Sequence, residues 1–392
     1  MIKSEVSIDK KLIDEAVEIL RKMVGFNTVN ELGNEKPLAE YIKGLLDEIG
    51  LETTLVDLGN NRANVIGRLK GTGQRQALLF NGHLDTVPPG DIDWEYGPFS
   101  GEVVDGRIYG RGTADMKGGL AAMLMAIKAI KESGAQLKGD FIYTATAGEE
   151  TDSIGAVHFV ENGGLDDVGA IIIGEPSSNS INIAEKGALW VEITTYGKTA
   201  HGAFPEKGIN AVAHMNALLS ELISYRFKYE ENEIVGHPTM NISTIHGGVK
   251  TNVVPDKCSS TIDMRTVPGM DHGEIIKDFE RLIEKLSNEI KDFKADIKIL
   301  NNRPAVETKG DHPFVKLAEE TYKEVFGEET KAKGVSFYTD ASVFLPAKEV
   351  PCIIYGPGDS NMAHQPNEYI TIDSLENTIR YYIRLIENYL LR

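Results

Sequence analysis

The chain has 392 residues, more than one hydrophobic core usually serves, so two domains are expected. Apolar residues make up 41% and charged residues 26%, the balance of an ordinary soluble globular protein. The net charge of −18 argues against nucleic acid and anionic membrane surfaces as partners, since both are bound through clustered Lys and Arg.

The opening stretch MIKSEVSIDKK carries charges where a secretory signal would need an apolar run. No later run reaches the roughly 18 apolar residues of a membrane span, so a cytoplasmic chain is expected. DKKLIDEAVEILRKMV has apolar residues at helical spacing, and ANVIGRL and QALLFNGHLD read as strands. KGGLAAMLMAIKAIKES is helical, GDFIYTATAG is a strand, and VGAIIIGEPS is a short apolar run stopped by Pro176. This order is the grammar of an open α/β sheet, whose ligands collect in the loops at strand ends. After Glu185 the strands become alternating, in GALWVEITTYG, TMNISTI and CSSTIDMRTV, with helices INAVAHMNALLSELISY and EIIKDFERLIEKLSNEI between and after them. A small α+β domain is therefore expected as an insertion at 187–299, which leaves a discontinuous α/β domain of 1–186 and 300–392. In its second piece FVKLAEETYKEVFG and SLENTIRYYIRLIENYLL read as helices and VPCIIYGPG as a strand.

The two cysteines, Cys258 and Cys352, are far apart, so any metal must be held by His and carboxylates rather than by thiolates. LLFNGHLDTVPPGD ends a strand in His83 and Asp85, two apart and able to share a face. An acid at that spacing suits a metal-bound imidazole, which needs a second partner to fix its tautomer. YGRGTADMKGG brings Asp115 on a glycine-rich loop before a helix; neither glycine signature of a phosphate loop is present, so the glycines read as permitting close backbone approach. TATAGEE closes its strand on Glu149 and Glu150, GEPS offers Glu175, and GDSNMAHQPNEYI offers His364. Each alone has an ordinary structural explanation. As a set, His83, Asp115, Glu150, Glu175 and His364 are nitrogen and oxygen ligands with no thiolate, which suits a catalytic zinc site. Two Zn²⁺ ions would be balanced by three carboxylates and a bridging hydroxide, whereas a single ion would leave the cluster over-anionic. Adjacent glutamates in a turning segment point in different directions, so one can bind metal while the other handles the proton of a bridging water. The spacing leaves open which does which.

GHLDTVP, GRGTADMKGG, TAGEE, GEPS and AHQPNEY, in that order over nearly the whole chain, resemble the dinuclear zinc amidohydrolases and peptidases that include acetylornithine deacetylase, succinyl-diaminopimelate desuccinylase, aminoacylase and glutamate carboxypeptidase. The resemblance implies an open mixed sheet flanked by helices, zinc-exopeptidase-like, with the insertion as a lid through which the chain forms a homodimer. It implies that His83 and Glu175 hold one zinc and Glu150 and His364 the other, with Asp115 bridging; Co²⁺ or Mn²⁺ could occupy the same ligands. It further implies that Asp85 orients His83 and that Glu149 is general base and then proton donor. His201 in GKTAHGAFPEKGINA would stabilise the oxyanion, reaching into the partner subunit's site. Asn252 in GGVKTNVVPD and Arg265 in TIDMRTVPG would contact the substrate's carboxylate end.

The expected reaction is hydrolysis of the amide of an N-acyl amino acid, with acetylornithine deacetylase or desuccinylase activity as the narrower expectation and a carboxypeptidase or dipeptidase as the alternative. Desuccinylases place an arginine shortly after the Asp of a TSD-like loop; SFYTDASVFLP has Ser342 there and no Lys or Arg at all, which weakens the succinyl reading. An inactive binding relative would be expected to have lost a ligand or Glu149, and all are present. Paired-carboxylate glycoside hydrolysis is disfavoured, because adjacent Glu149 and Glu150 cannot easily stand the roughly 5 Å or more apart that it needs.

Overall fold

The computed structural model describes residues 8–30 and 33–392. Most of the charged N-terminal stretch lies outside them; among the described residues no helix is long and apolar enough to cross a membrane. The chain divides into two units, one of the described residues up to Ile183 with Glu307–Gly334 and Thr339–Arg392, the other of Ala184–Val306 with Val335–Tyr338.

In the first unit the sheet runs Glu52–Gly59, Arg62–Leu69, Phe141–Thr146, Ala77–His83, Val168–Ile173, Cys352–Ile354, before the short strands at which the chain passes to the second unit. Ala77–His83 pairs in parallel with Phe141–Thr146 on one side and Val168–Ile173 on the other, and Cys352–Ile354 continues the parallel run. Ala77–His83 and Phe141–Thr146 are buried at every position, as continuous apolar strands covered on both faces should be. Gly118–Glu132 is correspondingly apolar nearly all round, packing against Lys10–Gly25 and Ile372–Ile386. Lys10–Gly25 starts where Asp9 accepts the Leu12 N–H at 2.9 Å, and its Leu12, Ala16, Ile19, Leu20 and Met23 face inward.

Among the elements here with no counterpart in the sequence reading are one helix and one strand near the start of the chain. The helix Lys36–Ile49 is short and opens with Pro37 rather than a side-chain cap. The strand Glu52–Gly59 forms a hairpin with Arg62–Leu69 through Asn60 and Asn61, both at positive φ, the conformation a two-residue hairpin turn demands.

The second unit is a four-stranded antiparallel sheet in the order Thr239–Gly247, Lys257–Thr266, Gly187–Tyr196, Lys294–Arg303. Lys257–Thr266 buries alternate residues, Cys258, Ser260, Ile262, Met264 and Thr266. Its apolar members pack with Leu189, Val191 and Ile193 against Met215 and Leu218 of Ala211–Ser224 and Ile275 and Phe279 of His272–Glu289. Lys294–Arg303 pairs with Gly187–Tyr196 along its length, so this sheet continues past the 299 expected for the insertion.

Candidate metal centre

Four of the five expected ligands come from the C-terminal ends of the parallel strands. His83 is the last residue of its strand, Glu150 follows Phe141–Thr146 by four residues, Glu175 follows Val168–Ile173 by two, and His364 lies in the segment after Cys352–Ile354. Asp115 is the exception, on the turn that enters Gly118–Glu132, with a cis Asp115–Met116 peptide. That helix reaches the strand carrying Glu175 through glycine against glycine. A Cβ on Gly119 would lie 2.1 Å from the Gly174 carbonyl oxygen, which is the close approach the glycine-rich loop suggested.

The five donors fall into two groups that share one residue: His83, Asp115 and Glu175, and Asp115, Glu150 and His364, with the ligand atoms of each group within 4.8 Å of one another. His83 Nε2 is 2.9 Å from Asp115 Oδ1 and 3.5 Å from Glu175 Oε1. His364 Nε2 is 3.3 Å from Asp115 Oδ2 and 2.9 Å from Glu150 Oε1. Asp115 thus turns one carboxylate oxygen to each group.

Hydrogen-bond logic shows what such a centre can hold. His83 Nδ1 lies 2.9 Å from the Asp85 main-chain oxygen, an atom that can only accept, so the proton sits on Nδ1. In neutral His83 the Nε2 lone pair then faces Asp115 and Glu175, an arrangement a cation would satisfy. Burial raises the Glu149 and Glu175 carboxyls well above the usual carboxylate range, and neighbouring acids add to it. Glu150 is raised by burial and then by Asp115. Hydrogen bonds to Asp115 and Glu150 push the His364 imidazole up to about 10. Burial alone would raise Asp115 too, but its hydrogen bonds with His364 and His83 hold it below its ordinary value. So many carboxylates cannot stay ionised in a buried site without cations, and the donor chemistry fits divalent metal.

Glu149 belongs to neither group. It is 5% exposed, and its Oε1 is buried without a hydrogen-bond partner. The Asp85 carboxylate explains how the two neighbours are held apart: its Oδ1 accepts the N–H groups of Gly148 at 2.9 Å and Glu149 at 3.1 Å, and its Oδ2 that of Glu150 at 3.2 Å. Asp85 thus meets His83 Nδ1 through its main-chain oxygen at 2.9 Å and its carboxylate at 3.5 Å, while the same carboxylate braces the glutamate turn.

Sequence reading passed over two acids here. Asp340 is 1% exposed, accepts the Thr146 hydroxyl at 2.6 Å, and adds like charge to Glu149 and Glu175. Glu368 braces the Asp115 turn. Both lay inside motifs already singled out, SFYTDASVFLP and AHQPNEY. Ser342 is buried, its hydroxyl donating to the Thr339 carbonyl at 2.7 Å.

His201, Asn252 and Arg265 lie in the second unit. His201 is exposed; its Nδ1 accepts the Ala203 N–H at 3.0 Å, which leaves Nε2 as the donor in the neutral ring. It pairs across a β-bridge with Val253, and the Gly202 N–H reaches the Asn252 carbonyl at 2.8 Å, so His201 and Asn252 stand on neighbouring segments. Arg265 Nε is 2.9 Å from Asp263 Oδ1, which also accepts the Trp190 indole N–H at 2.9 Å.

Comparison with known proteins agrees with this geometry. A probable succinyl-diaminopimelate desuccinylase of Staphylococcus epidermidis is 32% identical, the match covering 96% of this chain and 98% of that protein. An acetylornithine deacetylase of Vibrio cholerae is 31% identical, over 91% of this chain and 92% of that one. The crystal structure of an M20 family metallo-carboxypeptidase from Sulfolobus solfataricus superposes with a TM-score of 0.82 at 21% identity, covering 96% and 99% of the two chains, and shares the fold. The description "Peptidase family M20/M25/M40" matches residues 79–388, so the chain belongs to that family of hydrolases.

Proposed function

We propose that the chain hydrolyses the amide bond of an N-acyl amino acid, with two divalent metal ions, zinc in the first instance. The observation that carries this is the pair of three-residue donor groups sharing Asp115, with the Oε1 of neighbouring Glu149 buried and without a hydrogen-bond partner. His83 and Glu175 would hold one ion, Glu150 and His364 the other, and Asp115 would bridge. Metal bound there would supply an acidified water and polarise the scissile carbonyl. Glu149 takes the proton of the attacking water and returns it to the leaving amine. With its buried Oε1 not engaged by any hydrogen-bond donor, Glu149 is free to take up that proton and to hand it on.

His201 would donate from Nε2 to the developing oxyanion, a contribution of about 3 kcal/mol in comparable sites. Asn252 and Arg265 would receive the substrate carboxylate, Arg265 giving up part of its pairing with Asp263. A homodimer through the second unit is supported by its open edge strand Thr239–Gly247, with Ile245 53% and nearby Val249 86% exposed. A cytoplasmic location completes the reading.

The first test is amine release from N-acetyl-ornithine, N-succinyl-diaminopimelate, other N-acyl amino acids and dipeptides, with and without added Zn²⁺. One preferred acyl amino acid is the expected result; cleavage of dipeptides alone would move the assignment to a dipeptidase. The curated relatives favour a succinyl or acetyl group, and Ser342 at the place of the desuccinylase arginine weighs against succinyl, leaving acetyl, another acyl group or a peptide.

A further inference from the structure

We infer that Glu368 is a positioning residue of the metal centre, fixing the loop of the shared ligand Asp115 against the segment that carries His364. The inference rests on the two-metal reading above.

Glu368 is 0% exposed and turns both carboxylate oxygens onto the Asp115 loop. Its Oε1 accepts two consecutive main-chain N–H groups, those of Ala114 at 2.8 Å and of Asp115 itself at 3.1 Å. Its Oε2 meets Arg111 Nη1 at 2.5 Å, and its main-chain oxygen accepts the Gly110 N–H at 2.9 Å. One residue thus ties down the loop at Gly110, Arg111, Ala114 and Asp115. Arg111, 1% exposed, is held in turn by the Pro88 carbonyl at 3.3 Å and lies 5.2 Å over the Trp94 ring.

Glu368 follows His364 by four residues, so a single short segment supplies both a donor of the second group and the brace of the shared donor. The two groups depend on that brace unequally. In the first, His83 ends a fully buried strand and Glu175, itself 4% exposed, stands two residues beyond the largely buried strand Val168–Ile173. In the second, the His364 side chain is 50% exposed, and the side-chain contacts that place it are those to Asp115 and Glu150. Loosening Glu368 therefore loosens the His364 group first. Outer residues that orient ligands commonly change metal affinity by about 10- to 100-fold.

The test is Co²⁺ titration of metal-free full-length protein, followed by visible absorption and calorimetry, for wild type, Glu368→Gln and Glu368→Ala. Wild type is expected to fill two sites. Glu368→Gln keeps an acceptor oxygen but not the charge opposite Arg111, and should weaken one site about 10- to 100-fold while the other stays within about threefold. Thermal melting of the metal-free proteins separates this site-selective loss from general destabilisation. Should Glu368→Ala fail to fold, Glu368→Gln and Arg111→Lys carry the test, the latter keeping the charge but losing the fork. Two wild-type-like sites in the variants would overturn the positioning role alone. A wild-type protein that takes up no second Co²⁺ would overturn the role and the two-metal reading together.

Discussion

The parallel strands of the first unit and the antiparallel strands of the second treat polar side chains in opposite ways. Ala77–His83 is buried throughout; its internal polar residue Asn81 is bonded to Thr144 and Thr146, and chemistry begins only at the strand end. Lys257–Thr266 is buried at every second position and partly exposed between, where Asp263 and Arg265 pair with each other. A charged group at the end of a doubly covered strand has to be accounted for by a ligand or a partner. The same group on a half-covered sheet has water as its default. Glu175 and Arg265 therefore carry unequal weight as evidence of function, though both sit in segments that resemble family motifs.

Breaking the buried end should have the largest consequence. Glu149→Gln is expected to lower kcat by about 10²- to 10⁴-fold while metal content stays at the wild-type value. Loss of metal instead would show that the roles of Glu149 and Glu150 are exchanged. Packing should follow the same division. Leu79→Ala, in the doubly covered strand, should cost about 2–5 kcal/mol, read from the urea midpoint of its transition. Ile242→Ala, on the partly exposed edge strand Thr239–Gly247, should cost less than about 1.5 kcal/mol. Equal costs would remove the physical basis of the comparison.

Arg265→Ala sharpens the weaker side. If Arg265 anchors substrate, KM should rise about tenfold with kcat changed less; an unchanged KM would leave Arg265 as the partner of Asp263 only. The smallest effect separates burial from membership of a unit. Asp167 lies in the first unit but is half exposed, and Arg68 holds its carboxyl below the ordinary value. Its folded pKa being depressed, the stabilisation is present above the unfolded value of about 4 and is lost as pH falls through the folded value. Asp167→Asn should therefore cost at most about 1 kcal/mol near pH 7, and the gap from wild type should narrow as pH falls below about 4. A gap that persists at low pH would mean that packing, not charge, is the source.

The five ligand candidates were legible because each stood at or beyond the end of an apolar run, or where a buried helix begins, and a cluster of His and acids at such places has few explanations. The lone acids Asp340 and Glu368 were not, since their partners, the Thr146 hydroxyl and the N–H groups of Ala114 and Asp115, lie far away along the chain. Asp85 shows the same limit: its spacing from His83 pointed to the imidazole, while its carboxylate serves a turn some 60 residues on. The hairpin strand Glu52–Gly59 escaped notice because none of its residues is fully buried, leaving no apolar run to read.

The most direct measurement is metal content per chain for wild type and Asp115→Ala, by elemental analysis after equilibration with Zn²⁺. Two donor groups sharing one carboxylate predict close to two ions in the wild type and fewer than one in the variant. A wild type that retains one ion or none, or an Asp115→Ala protein that gives up only one of two, would contradict the shared centre.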